Sequence, residues 1–171
     1  MAIFAAAREQ LSARGPDTGM QEIATAAGVA VGTLYRHFPT KADLISAVVA
    51  AHVAEVGDDA EASLGRARAG SRALDELVGF LDRTTDAIAQ NHAAKAVQGG
   101  PATTPGGAGS DEARGASATA ELVSLAQADG DVRANLTIDD VYLVIGSVPT
   151  DQGPERRRRW LELVLSGLLA R

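Results

Sequence analysis

The sequence predicts an all-α protein. Alanine is abundant while only 4% of the 171 residues are aromatic. β-Branched residues come in short runs, and apolar residues recur at helical rather than alternating spacing. With 46% apolar and 22% charged residues, the chain falls in the ordinary globular class and is long enough to bury a core in one or two compact units.

The elements follow in order. Ile3, Phe4, Ala7 and Leu11 share one face of a first helix that runs to about Ala13, where Arg14-Gly15-Pro16-Asp17 stops it. Gly19 serves as N-cap of a second helix holding Ile23, Ala24 and Ala27, and Gly28 ends it. A third, Val31 to Phe38, is stopped by Pro39. Thr40-Lys41-Ala42-Asp43 fits a capping box and opens a long fourth helix with Leu44, Ile45, Val48, Val49, Val53 and Val56 inward.

A fifth helix is expected over roughly Arg72 to His92, followed by a glycine- and proline-rich loop over residues 98–110 that has no apolar period. Further helices are expected near Ala116 to Asp129, from Ile138 to Val148 behind the box Thr137-x-x-Asp140, and from Pro154 onward. The last carries a wide apolar stripe. With the helix before it, it can pair antiparallel with a second copy through Val141, Tyr142, Ile145, Trp160, Leu161, Val164, Leu165 and Leu168. The run Arg156 to Arg159 reads as a solvated rim.

Composition excludes several classes. Without cysteine there are no disulfides, thiolate metal sites or cysteine nucleophiles, which fits a reducing compartment. No apolar run reaches the ~18 residues of a membrane span, so a cytoplasmic protein without a membrane partner is expected. The histidines at 37, 52 and 92 form no His-x-x-x-His pair, and Gly-x-Ser-x-Gly is lacking, so no catalytic residue, metal site, cofactor or enzymatic activity is expected. The net charge is −6, but Arg8, Arg14, Arg36 and Lys41 balance Glu9, Asp17, Glu22 and Asp43, so residues 1–46 are neutral and the excess lies beyond them.

The strongest local pattern is Gln21 to Lys41: two short helices around a tight Gly28-Val29-Ala30 turn, then a capped long helix. Leu34 and Phe38 lie four apart and face inward. Val31, Gly32, Thr33, Tyr35, Arg36 and His37 are left outside, with hydroxyls and an imidazole suited to phosphates and base edges. Lys41 adds a charge at a helix N-terminus.

Ile23-Ala24-x-x-Ala27-Gly28-Val29-x-Val31-Gly32-Thr33-Leu34-Tyr35-Arg36-His37-Phe38-Pro39-Thr40-Lys41-x-x-Leu44 resembles the DNA-binding signature of the TetR family of bacterial transcriptional regulators, over about residues 2–49. The resemblance implies a helix-turn-helix DNA-binding domain over residues 1–46 and a helical effector-binding and dimerisation domain over 47–171. It implies a sequence-specific regulator, a repressor released from its operator by a small-molecule effector. By position, contacts to a near-palindromic double-stranded operator come from Gln21, Val31, Gly32, Thr33, Tyr35, His37 and Lys41.

The effector is expected to be largely apolar and lined by inward residues of the central helices, Phe80, Leu81, Thr84, Ile88, His92, Leu122 and Leu125, in a homodimer. Family members usually carry a basic segment before the first helix, and here Met1 falls within that helix, so the arm is expected to be missing. The alternative is a ligand-binding helical dimer that has lost operator binding.

Overall fold

A computed structural model describes residues 2–97 and 110–170, excepting the side chains at 16, 90–97 and 110. The described residues form helices α1 (Ala2–Arg14), α2 (Met20–Ala26), α3 (Val31–His37), α4 (Lys41–Arg68), α5 (Ala73–Val97), α6 (Ser110–Ala128), α7 (Ile138–Gly146) and α8 (Pro154–Leu168). A single 3-10 turn, Gly15–Asp17, links α1 to α2. Among the described residues there is no strand, only an isolated antiparallel bridge between Val132 and Leu169.

Several boundaries depart from the sequence expectation; α3 stops at His37, with Phe38 as its C-cap. α5 begins one residue later and continues to Val97, because Ala93-Ala94-Lys95-Ala96 are strong helix formers that the apolar period does not register. α6 begins at Ser110 rather than Ala116, since Asp111 and Glu112 in its first turn suit the positive end of the helix dipole. Residue 110 of the expected loop is therefore helical, and the rest of it lies outside the described residues. α7 stops at Gly146, two residues early.

The chain forms two compact units, the first built on Met1–His52 and the second on Val53–Ala89 with α6 to α8. In the first, Ala7, Met20, Ile23, Ala24, Leu34, Leu44 and Val48 make a buried cluster on which Ile3, Phe4, Val29, Val31 and Phe38 pack. The Phe4 and Phe38 rings meet with centroids 6.1 Å apart at 51°, a tilted pairing favoured by the ring quadrupoles. Thr18, fully buried, donates its hydroxyl to the carbonyls of Gln10 and Gly15 and ties down the α1–α2 link.

The second unit has a larger core that includes Leu64, Leu77, Phe80, Leu81, Leu122, Leu136, Val141 and Leu161. At its α4–α6 crossing the backbones touch: a Cβ placed on Gly115 would lie 2.9 Å from the Gly57 Cα. Arg114 reaches from α6 to Glu61 (2.6 Å) and Asp58 (2.9 Å) on α4, and Arg68 of α4 binds Glu121 of α6 at 2.5 Å. Thr137 and Asp140 form the expected reciprocal cap of α7, with the Thr137 N–H donating to the Asp140 carboxylate at 2.8 Å. The Thr137 hydroxyl and then its N–H hold the Asp140 carboxyl below the usual carboxylate range.

Candidate nucleic-acid interface

The turn between α2 and α3 is built by Gly28. Its φ of +69° lies in the left-handed region that a side chain disfavours. The Val29 N–H donates to the Ala24 carbonyl at 3.0 Å and the Gly28 N–H to Thr25 at 3.1 Å, the paired bonds of a Schellman C-cap. Val29 then packs into the core beside Ala24, which pins the direction in which α3 leaves.

At the other end of α2, Glu22 accepts the Gly19 N–H at 2.8 Å and pairs with Arg14. That backbone bond, and then Arg14, hold the Glu22 carboxyl below its ordinary range, with a smaller contribution from Lys41. α4 opens with the expected capping box: the Asp43 N–H donates to the Thr40 hydroxyl at 3.1 Å, and the Thr40 N–H to the Asp43 carboxylate at 2.9 Å. These caps fix Gln21 in the first turn of α2 and Lys41 in the first turn of α4.

Leu34 of α3 is fully buried and Phe38, its C-cap, is half-buried against the same core. Gly32, Tyr35, Arg36 and His37 are exposed, Tyr35 by 49%. The His37 ring lies beside Phe38, with centroids 6.4 Å apart. Gln21 is exposed, and Thr33 and Lys41 are half-buried. Val31 is half-buried and packs against the core, so less of it is free for an outside contact than its helix position implied. Arg36, absent from the set carried by resemblance, is as exposed as its neighbours, and the helical period already placed it outside.

A buried core beneath a short helix with hydroxyl, imidazole and guanidinium groups outward, entered through a fixed tight turn, defines a helix-turn-helix DNA-binding protein. The family model for bacterial regulatory proteins of the tetR family matches residues 3–48, and the model for the C-terminal domain of SbtR-like transcriptional regulators matches residues 73–170. The chain therefore belongs to the TetR family of transcriptional regulators, which are transcription factors and not enzymes.

Similar solved structures cover nearly the whole chain. The TetR transcriptional regulator SCO0520 from Streptomyces coelicolor is 30% identical, with 99% of this chain and 97% of that chain aligned at a TM-score of 0.76. A TetR transcription regulatory protein from Mycobacterium vanbaalenii is 28% identical over 99% and 93% of the two chains, with a TM-score of 0.74. A gamma-butyrolactone receptor shares the fold at 22% identity, over 98% and 87%, with a TM-score of 0.65. A search of curated proteins finds no match.

The second unit brings part of the expected effector set together. Phe80, Leu81 and Leu122 are buried in one cluster, Leu125 packs against it, Thr84 is buried and Ile88 half-buried. His92 lies on α5, but its side chain is outside the described residues. An open cleft of about 420 Å³ lies elsewhere, between α4 and α6, floored by Leu64, Gly65 and Ala118 and rimmed by Arg68, Arg114, Glu61 and Glu121. Its rim charges are already engaged with one another.

The residues chosen for dimerisation sit mostly inward. Val141, Leu161 and Leu168 are buried in the core of their own unit, and Ile145, Trp160, Val164 and Leu165 are half-buried against it. Tyr142 is half-buried, and burial pushes its phenol up. The fully outward leucines are Leu143, 74% exposed, and Leu163, 58% exposed. A stripe as wide as that of α8 has two sides, and period alone does not say which one the chain covers itself. The arginine run is likewise split: Arg157 turns inward to Asp86 at 3.1 Å and to the Gln152 carbonyl at 2.5 Å, while Arg156, Arg158 and Arg159 stay exposed.

Among the described residues no group of His, Asp or Glu could hold a metal ion, and no helix is long and apolar enough to cross a membrane.

Proposed function

We propose that this chain is a homodimeric repressor that binds a near-palindromic operator in the cytoplasm and leaves it when a small, largely apolar effector occupies its second domain. The exposed α3 face, with Gly32, Tyr35, Arg36 and His37 around the buried Leu34, carries the reading. In this reading residues 1–46 read DNA and residues 47–171 hold the effector and the partner copy. Tyr35, Thr33 and Val31 meet base edges or sugars, while Gln21, His37 and Lys41 hold phosphates. Two copies set their α3 helices about one DNA turn apart, ~34 Å, or a small multiple of it.

Pairing of a second copy along α7 and α8 would use Leu143 and Leu163, the apolar side chains of these helices that their own unit leaves open.

The test is a salt titration of binding to duplex DNA from the promoter of the protein's own gene. A working regulator gives a log-log slope set by the number of phosphates it neutralises. Tyr35→Ala is expected to lower affinity about tenfold, as one lost base or backbone contact does, and to leave the dimer mass unchanged. Unchanged affinity overturns this docking of α3. Failure of the wild-type chain to bind any promoter duplex even at low salt favours a ligand-binding dimer that has lost its operator, a reading to which the neutral charge of residues 1–46 lends some weight.

A further inference from the structure

The deeply buried polar side chains among the described residues are Thr18, His52, Ser63, Thr84, Thr85 and Thr119. Most are visibly satisfied. Thr18 donates to Gln10 and Gly15, Ser63 accepts from Arg66 and Arg83, and His52 is engaged as well. Thr85 donates to the Asp82 carbonyl at 2.9 Å and Thr119 to that of Gly115 at 2.8 Å. The Thr84 hydroxyl oxygen is buried and has no hydrogen-bond partner among the described residues.

The contrast is chemical. A helical threonine ordinarily turns its hydroxyl onto the carbonyl three or four residues back, as Thr25, Thr85 and Thr119 do. Thr84 forgoes that local bond although it is only 3% exposed. An unsatisfied buried hydroxyl is unfavourable enough that native chains rarely keep one without a use for it. One turn away on α5 stand Phe80, Leu81 and Ile88, none of which carries a polar side chain. A buried water needs two to four polar partners, and of these four α5 positions Thr84 alone offers one. An organic molecule with an apolar body and one oxygen satisfies both the hydroxyl and its surroundings.

We infer that Thr84 is the polar anchor for the effector, donating its hydroxyl hydrogen to a carbonyl or ether oxygen of a neutral, otherwise apolar molecule seated against Phe80, Leu81 and Ile88. None of these four α5 positions carries a charge to pair with an ion, so a neutral molecule is the one they suit. The inference rests on the effector-binding role proposed for this domain and names the chemistry of that effector.

Two measurements on the full chain test it. Without ligand, Thr84→Val removes the hydroxyl at nearly constant shape, and the melting temperature is expected to rise by about 2–4 °C. A fall of similar size means that the hydroxyl is already bonded within the chain and overturns the inference. The second is a methyl-resolved NMR titration, following Leu81 and Ile88, with cyclohexanone and with methylcyclohexane. The wild type is expected to prefer the ketone about threefold to tenfold, the worth of one neutral hydrogen bond. Thr84→Val abolishes that preference and Thr84→Ser keeps it. Equal binding of both probes by the wild type, or a preference that survives in Thr84→Val, overturns the anchor while leaving an apolar effector site standing. Saturable binding of neither probe overturns the site together with its anchor.

Discussion

The α4–α6 crossing sets two opposed effects against each other at one atom. Replacing Gly115 by alanine favours the helix by about 1 kcal/mol through backbone entropy alone. The added methyl, however, would sit 2.9 Å from the Gly57 Cα and 3.6 Å from its nitrogen. Carbon atoms settle at about 3.5–4.0 Å, so the helices must part by roughly half an ångström, and neither contact atom belongs to a side chain that can rotate away. Overpacking of this kind costs about 1–3 kcal/mol.

The clash therefore outweighs the propensity gain. Gly115→Ala is expected to lose about 1 kcal/mol, lowering the melting temperature by about 2–4 °C for a chain of this size. Gly65→Ala is the control on the neighbouring helix: a Cβ there meets nothing within 4 Å, so propensity acts alone and the melting temperature should rise by a similar amount. Thermal melts followed by circular dichroism at 222 nm read both variants. If Gly115→Ala stabilises as much as Gly65→Ala, the close backbone contact is not a fixed feature of the fold and the reasoning fails.

Other outcomes follow from single sites. Leu163→Glu places a charge on an exposed position of α8; sedimentation velocity should show dimer converting to monomer with the helical content unchanged, and an unshifted dimer would place the interface elsewhere. Thr137→Ala removes the hydroxyl that caps α7 and should cost about 1 kcal/mol, read as a fall in melting temperature at neutral pH. The lowered Asp140 carboxyl adds stability that is present above its unfolded-state pKa and is lost as pH falls through its folded-state value. Asp140→Asn should therefore narrow its difference from wild type as melts are taken to lower pH; a difference that is constant with pH would refute the assignment.

What was legible in the sequence was local. Gly28, Pro39 and the boxes Thr40–Asp43 and Thr137–Asp140 stop and start helices through bonds between residues a few positions apart, so reading them needs no tertiary knowledge. The same holds for the inward Leu34 and outward Tyr35 on a helix of only seven residues, which has one side to spare for the core. The helix ends at Val97 and Ser110 were less legible because alanine and acidic residues extend a helix without marking an apolar face.

Tertiary structure alone decided three things. The wide stripe of α8 gave no sign that Leu161 and Leu168 are consumed by their own core and not offered to a second copy, because that division depends on where the other helices of the unit lie. Arg157 looked like one of four equivalent cations until α5 placed Asp86 opposite it. Gly57 and Gly115 are unremarkable as helical glycines in sequence, yet they meet at a crossing that only two helices distant in the chain can create. Bonding between near neighbours is written in residue order; contact between distant segments exists only once the chain has packed, and that packing chose which chemically suitable groups are available for function.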